Sequence, residues 1–427
     1  MGAPVSLQRI AGLALAICAL AGPVACNKPA EYYALKDRDK YVVPSAEPSA
    51  EPSEEPSESP ADVSGEPSDV SADPADISED PRREIVSPTD MVLLYGGNRA
   101  RTPYTWTSDR LMDYVSYVDR EGKWHWLFDG FLLLELKTES KTRSVCFASG
   151  YRSWDGEPLP SATKADWEKL LDYYFASTSG LSSIETAVEK SVKQLGEPPR
   201  KRMVVMSIPE PILRESWSDA SSSSVYWGEV DGTQMDFSLT PHRNQACKWF
   251  VDSVISRFGK KNFKYLELTG FYWLPEDCGS TSDLIGQVAS YVNDMGYSLN
   301  WIPYYHAEGY TRWKSFGFNY AYYQPNYFFY DVPESRVATA CTEAAQNGLA
   351  MELEFDSDAL ASGGKGNRLR SYMSAFRKYG AWESQNMAYY QGGWAVRDLK
   401  ESAVAEDNDL YHDFCEFVIT RPIRDSH

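Results

Sequence analysis

Eight short apolar runs, rich in β-branched and aromatic residues, recur along the chain at 91–95, 127–136, 203–208, 265–273, 299–305, 318–323, 349–355 and 387–390. Helical patterns lie between most of them. Thr240 reads as a cap with Pro241 at the first helical position and Gly259 as the stop. Ser282 opens a second helix, whose Leu284, Ile285, Val288, Tyr291, Val292 and Met295 share one face. Pro333 and Gly348 bracket a third, and Leu369, Met373 and Phe376 line a fourth that Gly380 closes. Strands that alternate with helices pair in parallel and are covered on both faces. Eight such units predict an α/β fold, a (β/α)8 TIM-like barrel. The rival is an open doubly wound sheet. No Gly-rich phosphate loop follows any run, which weakens the nucleotide-binding form of that rival.

The first 85 residues do not share this pattern. Arg9, the apolar run 10–20 and the small residues up to Ala25-Cys26 read as an export signal over 1–26, too short to span a bilayer. Cys after a small residue resembles a lipoprotein cleavage site, with Cys26 as the lipidated residue, although Pro23 and Val24 make the lipobox imperfect. Residues 27–85 then read as a disordered, acidic tether. Ala46-Glu47-Pro48-Ser49 and its repeats offer no apolar periodicity from which a core forms, and Pro and like charges extend the segment. Of the net charge of −19, the stretch 41–90 holds 14 Asp or Glu and 2 Arg, a balance of −12, leaving −7 elsewhere. A chain this acidic does not suit nucleic acid, which needs clustered Lys and Arg. The barrel domain is expected over 86–427. Its five cysteines lack a CxxC pair and read as buried small apolar residues. With 5 His and no HxH or HExxH spacing, a His-rich metal site is not indicated, and nothing calls for a cofactor.

In such barrels chemistry sits at the C-terminal ends of the strands. The seventh run is the most informative there. Period two puts Glu352, Glu354 and Asp356 on one face, with Leu349, Met351, Leu353 and Phe355 on the other. The apolar face suits the helices, so the carboxylates turn inward, and buried carboxylates need partners or a task. The fourth run ends Gly270-Phe271-Tyr272-Trp273-Leu274-Pro275-Glu276, aromatics followed by an acid. Carboxylates facing each other across an aromatic-lined mouth suit glycoside hydrolysis, at about 5–5.5 Å for retention or 6.5–9.5 Å for inversion. The reading takes Glu276 as general acid/base and Glu354 as nucleophile or base, with Glu352 as its alternative. Tyr272, Trp273, Trp301, Tyr304, Tyr305, His306, Tyr323, Gln324, Tyr389 and Gln391, at the other strand ends, are the candidate sugar contacts. The third strand contributes Glu210. Asp129 and Glu135 read as members of internal networks.

Leu94-Tyr95-Gly96-Gly97, Trp126-Leu127-Phe128-Asp129-Gly130-Phe131 and Gly270-Phe271-Tyr272-Trp273, behind a lipoprotein start, resemble a family of Bacteroidales surface lipoproteins that share a domain of unknown function. The likeness covers roughly 90–420. Gly270 to Glu276 is also similar to strand ends of TIM-barrel glycoside hydrolases. The resemblance implies a glycan-processing setting at the outer membrane or cell surface, with membrane contact through the lipid anchor alone. Two functions fit: a surface glycoside hydrolase on a polysaccharide or other glycan, peptidoglycan or capsule included, or a non-catalytic glycan-binding lipoprotein on the same barrel.

Overall fold

The structure, a computed structural model, describes residues 84–96, 105–138, 144–149, 151, 159–213, 226–279 and 281–426. The expected signal, Cys26 and the tether up to residue 83 lie outside them, as does Gly97.

Eight parallel strands close into a barrel in chain order: β1 (Asp90–Tyr95), β2 (Gly130–Leu134), β3 (Arg202–Ile208), β4 (Leu266–Trp273), β5 (Ser298–Trp301), β6 (Tyr320–Tyr323), β7 (Ala350–Glu354) and β8 (Met387–Tyr390). β1 pairs with both β2 and β8, which completes the ring. Each apolar run of the sequence overlaps one of these strands, so the expected (β/α)8 barrel is the fold. β1, β2 and β3 are buried at every residue, as parallel strands covered on both faces must be.

The helices used below are α1 (Ser108–Val115), α2 (Lys164–Tyr174), α3 (Gly180–Leu195), α4 (Thr240–Lys261), α5 (Ser282–Asp294), α6 (Ser335–Asn347), α7 (Gly366–Lys378), α8 (Ala381–Ser384), α9 (Ala395–Glu401) and α10 (Ala405–Ile419). The boundary signals are right to within a residue or two, with one correction. Gly259 does not stop α4; the helix runs one more turn, to Asn262 in the left-handed region (φ 47°). Asn tolerates that conformation because its short polar side chain bonds locally. Gly348 caps α6 as expected, at φ 64°.

Gly270 shows why one motif glycine is needed. A Cβ there would lie 2.0 Å from the Ser298 hydroxyl and 2.7 Å from its carbonyl oxygen, so β4 and β5 approach as only glycine allows. The register of β4 against β3 also shifts at this point, between Leu268 and Gly270.

An ionic network closes the N-terminal end of the barrel. Asp90, wholly buried, pairs with Arg421 and with Arg424 (3.0 Å), and Tyr389 donates to it (2.7 Å). Asp129 accepts from the Thr89 and Asp90 amides and pairs with Arg200. Burial pushes the Asp129 carboxyl up, but Arg200, Arg424 and these bonds outweigh it and hold it below the usual carboxylate range. Asp129 is thus the internal-network residue the sequence suggested. The five described cysteines are buried and unpaired. Among the described residues no helix is long and apolar enough to cross a membrane.

Candidate active site

Contacts on each strand decide which residues face the mouth. Trp273 donates to Thr281 just before α5 (3.3 Å). Trp301 stacks on Phe318, rings 5.0 Å apart and 6° from parallel, and donates to the Pro275 carbonyl (2.8 Å). Tyr323 donates to Glu343 of α6 (2.9 Å). Tyr389 and Phe355 pack on Phe414 of α10. All of these lie on the helix-facing side. Trp273, Trp301, Tyr323 and Tyr389, expected to line the mouth, therefore do not. The reason is the two-residue period of a strand. In Tyr272-Trp273, Tyr322-Tyr323 and Tyr389-Tyr390 only one ring of each pair turns inward, and it is Tyr272, Tyr322 and Tyr390.

Glu352 and Glu354 fall on the inward face, as the alternation of β7 predicted, at 2% and 1% exposure. Tyr390 stands beside them, its ring meeting Tyr95 at 5.9 Å and Phe329 at 5.6 Å, both edge-on. Tyr272 sits in register with Ser207, whose buried hydroxyl has no hydrogen-bond partner among the described residues.

Glu354 is held from the β6 side and from α7. The Asn326 amide donates to Oε2 (2.7 Å), Asn326 Nδ2 to Oε1 (3.2 Å) and the Tyr372 hydroxyl to Oε2 (2.9 Å). Tyr372 in turn accepts from the Tyr327 amide (3.0 Å). Burial and then the Glu354 charge push its phenol well above the usual range. Asn326 adopts φ 51°, rare for a residue with a Cβ. It also donates to Gln324 Oε1 (2.9 Å) and accepts from the Tyr305 amide (2.8 Å). Gln324 thus joins the Glu354 network through Asn326.

The other expected residues are more scattered. Glu276 is half-buried in the loop after β4, which stands three strands from β7 around the ring of eight. Gln391 is wholly buried and engaged by Tyr114 (3.1 Å) and by the Leu93 and Gly393 carbonyls, a structural tie between β8, β1 and α1. Tyr304 and Tyr305 are half-buried and His306 exposed, on the loop that follows β5. Glu210, just past β3, accepts from the Ser149 amide (2.6 Å) and hydroxyl (2.8 Å). Burial raises its carboxyl; the Ser149 bonds oppose this, Asp277 adds to it, and Arg243 opposes it. Among the described residues no three His, Cys, Asp or Glu side chains gather as a metal site.

Sequence reasoning missed Asn326 and Tyr372. Asn326 had a signal: an Asn directly after Gln324-Pro325 at a strand end suits a turn with positive φ. Tyr372 had none, because a helix residue's reach toward a strand end depends on packing.

A search of curated proteins finds no match. Solved structures do match. They include a candidate alpha-L-fucosidase from Bacteroides thetaiotaomicron, at 11% identity and TM-score 0.40, covering 82% of this chain and 99% of that one. A variant tryptophan synthase alpha-subunit from Pyrococcus furiosus matches at 8% and 0.34, covering 77% and 97%. The carboxyl transferase domain of Rhizobium etli pyruvate carboxylase matches at 7% and 0.36, covering 79% and 47%. At these values none speaks to what the chain binds or does. The sequence profile of a family described as a domain of unknown function (DUF4855) matches residues 90–416. That span begins at the first barrel strand and ends inside α10, and the chain belongs to this family.

Proposed function

We propose that the protein is a surface-anchored glycoside hydrolase acting on a polysaccharide or other glycan. The observation that carries the reading is the pair Glu352 and Glu354, turned into the C-terminal half of the barrel beside Tyr390 and Tyr95. Tyrosine faces stack on the C–H faces of sugar rings, and a carboxylate among them either attacks the anomeric carbon or activates water. In this reading Glu354 is the nucleophile or base, Glu352 its alternative, and Glu276, across the ring on the β4 loop, the acid/base. Cys26 carries the lipid anchor, and 27–85 holds the barrel away from an outer membrane.

A second reading, a glycan-binding lipoprotein without catalysis, is favoured by one observation. Both oxygens of Glu354 are engaged by Asn326 and Tyr372, an arrangement that would also serve only to fix the β6 loop.

The test is a screen of the purified protein against plant, host and bacterial glycans, with Glu276→Gln and Glu354→Gln alongside. For a hydrolase each change lowers turnover by at least about 10²–10⁴-fold. Glycans that bind but are never cleaved would replace the first reading by the second. Cys26→Ser should move the exported protein from the detergent phase to the soluble one; unchanged partition rules out Cys26 as the anchor.

A further inference from the structure

The loop after β5 leaves the mouth and lies against α6, where it builds an aromatic cluster. Tyr305 and His306 rings stack 4.0 Å apart. Tyr310 and Tyr323 stack at 5.1 Å, 4° from parallel, and Tyr305 meets Tyr323 at 5.8 Å. Tyr323 is the buried base of the stack; His306 is its exposed edge. His306 has φ 60°, a conformation side chains with a Cβ rarely adopt, and such strain gathers where a side chain must be presented. Its Nε2 meets Glu343 at 3.0 Å and its amide donates to the Tyr323 hydroxyl (3.0 Å).

The Arg336 guanidinium, on the first turn of α6, lies 4.5 Å from the Tyr305 ring centroid. Among the described residues no carboxylate pairs with it, whereas Glu343 nearby has both oxygens engaged by His306 and Tyr323. The loop does not need Arg336 to hold it: Asn326 fixes the Tyr305 amide, and Tyr323 with Glu343 fixes His306. What remains is a planar cation over the Tyr305 ring with no carboxylate partner, beside the exposed edge of His306. A guanidinium fork matches a carboxylate with two parallel hydrogen bonds, and imidazole and phenol edges bond sugar hydroxyls.

We propose that Tyr305, His306 and Arg336 form a second glycan-binding site on the outer rim of the barrel, for a sugar ring that bears a carboxylate. The proposal rests on the reading that the protein handles glycans, and it deepens it by naming an acidic substrate class. Two sources share that chemistry, uronate polymers and sialylated glycans.

The experiment is calorimetric titration of the full chain with trigalacturonate, 3′-sialyllactose and, as an uncharged control, galactotriose. At least one acidic probe should bind and galactotriose should not. Binding of trigalacturonate alone assigns the site to uronates, and of sialyllactose alone to sialylated ends; both together mean that the carboxylate suffices. Arg336→Gln should weaken binding about ten- to hundredfold, the worth of charge-assisted hydrogen bonds, with Arg336→Lys between the two. Arg257→Gln, which removes a cation on α4 that pairs with Asp172 of α2, should bind as the wild type does. The proposal is overturned if neither acid binds, if galactotriose binds equally well, if Arg336→Gln keeps full affinity at an unchanged melting temperature, or if Arg257→Gln weakens binding as much as Arg336→Gln does. The readout is binding, not turnover, so this site and the hydrolase reading stand or fall separately.

Discussion

Replacing Tyr372 by Phe removes a single oxygen, and the structure says what that oxygen does. It donates to Glu354 Oε2 at 2.9 Å and accepts from the Tyr327 amide at 3.0 Å, in a place with no exposure at Tyr372 itself. Losing the donor removes one hydrogen bond to a charged group, and losing the acceptor leaves a buried N–H unmet. Together these cost about 2–5 kcal/mol. Glu354→Gln keeps the shape but presents an amide NH₂ to one of its three donors, at about 1–3 kcal/mol. Because the two changes break the same bond, the double variant should lose less than the sum of the single losses, with a coupling of about 1–3 kcal/mol. Urea unfolding followed by tryptophan fluorescence measures all four corners of the cycle. A loss below about 1 kcal/mol for Tyr372→Phe, under the low end for one buried unmet donor, would refute the claim that this hydrogen bond holds the β6 loop on β7. So would strict additivity in the double variant.

Three further outcomes follow from the geometry. Glu210 has its carboxyl raised by burial, so the folded state takes up its proton before the unfolded state does. As pH falls through the folded pKa toward the usual carboxylate range, the wild type should gain stability relative to Glu210→Gln; parallel melting curves against pH would refute this. Gly270→Ala puts a Cβ 2.0 Å from the Ser298 hydroxyl, and overpacking of this kind should cost about 1–3 kcal/mol or more in urea unfolding. Adding Ser298→Ala should recover only part of that, because the Ser298 carbonyl at 2.7 Å remains.

The barrel was legible because each of its strands carries its own apolar signature and needs no distant information to be recognised. The alternation in β7 likewise sent Glu352 and Glu354 inward from their spacing alone. What could not be read was phase at the strand ends. Tyr272-Trp273 and Tyr389-Tyr390 each offer two large rings, and only the register with the neighbouring strand settles which one faces the helices. Trp301 and Tyr323 looked like sugar platforms on composition, yet they find partners in Phe318 and Glu343 that lie outside their own strands. Tyr372 reaches Glu354 across 18 residues of chain and a helix, a contact that no local pattern encodes.

The clamp at the N-terminal end of the barrel ties the beginning of the fold to its end. Asp90 opens β1, yet its cationic partners Arg421 and Arg424 follow 331 and 334 residues later. Until those arginines are synthesised, β1 carries a carboxylate that has no counter-charge in the place it must be buried, and β8 has not yet come to close the ring. Long-range closure of this kind is slow and leaves strand edges open in the meantime. A ribosome emitting this chain therefore exposes most of a barrel that cannot shut until Arg421 and Arg424 emerge.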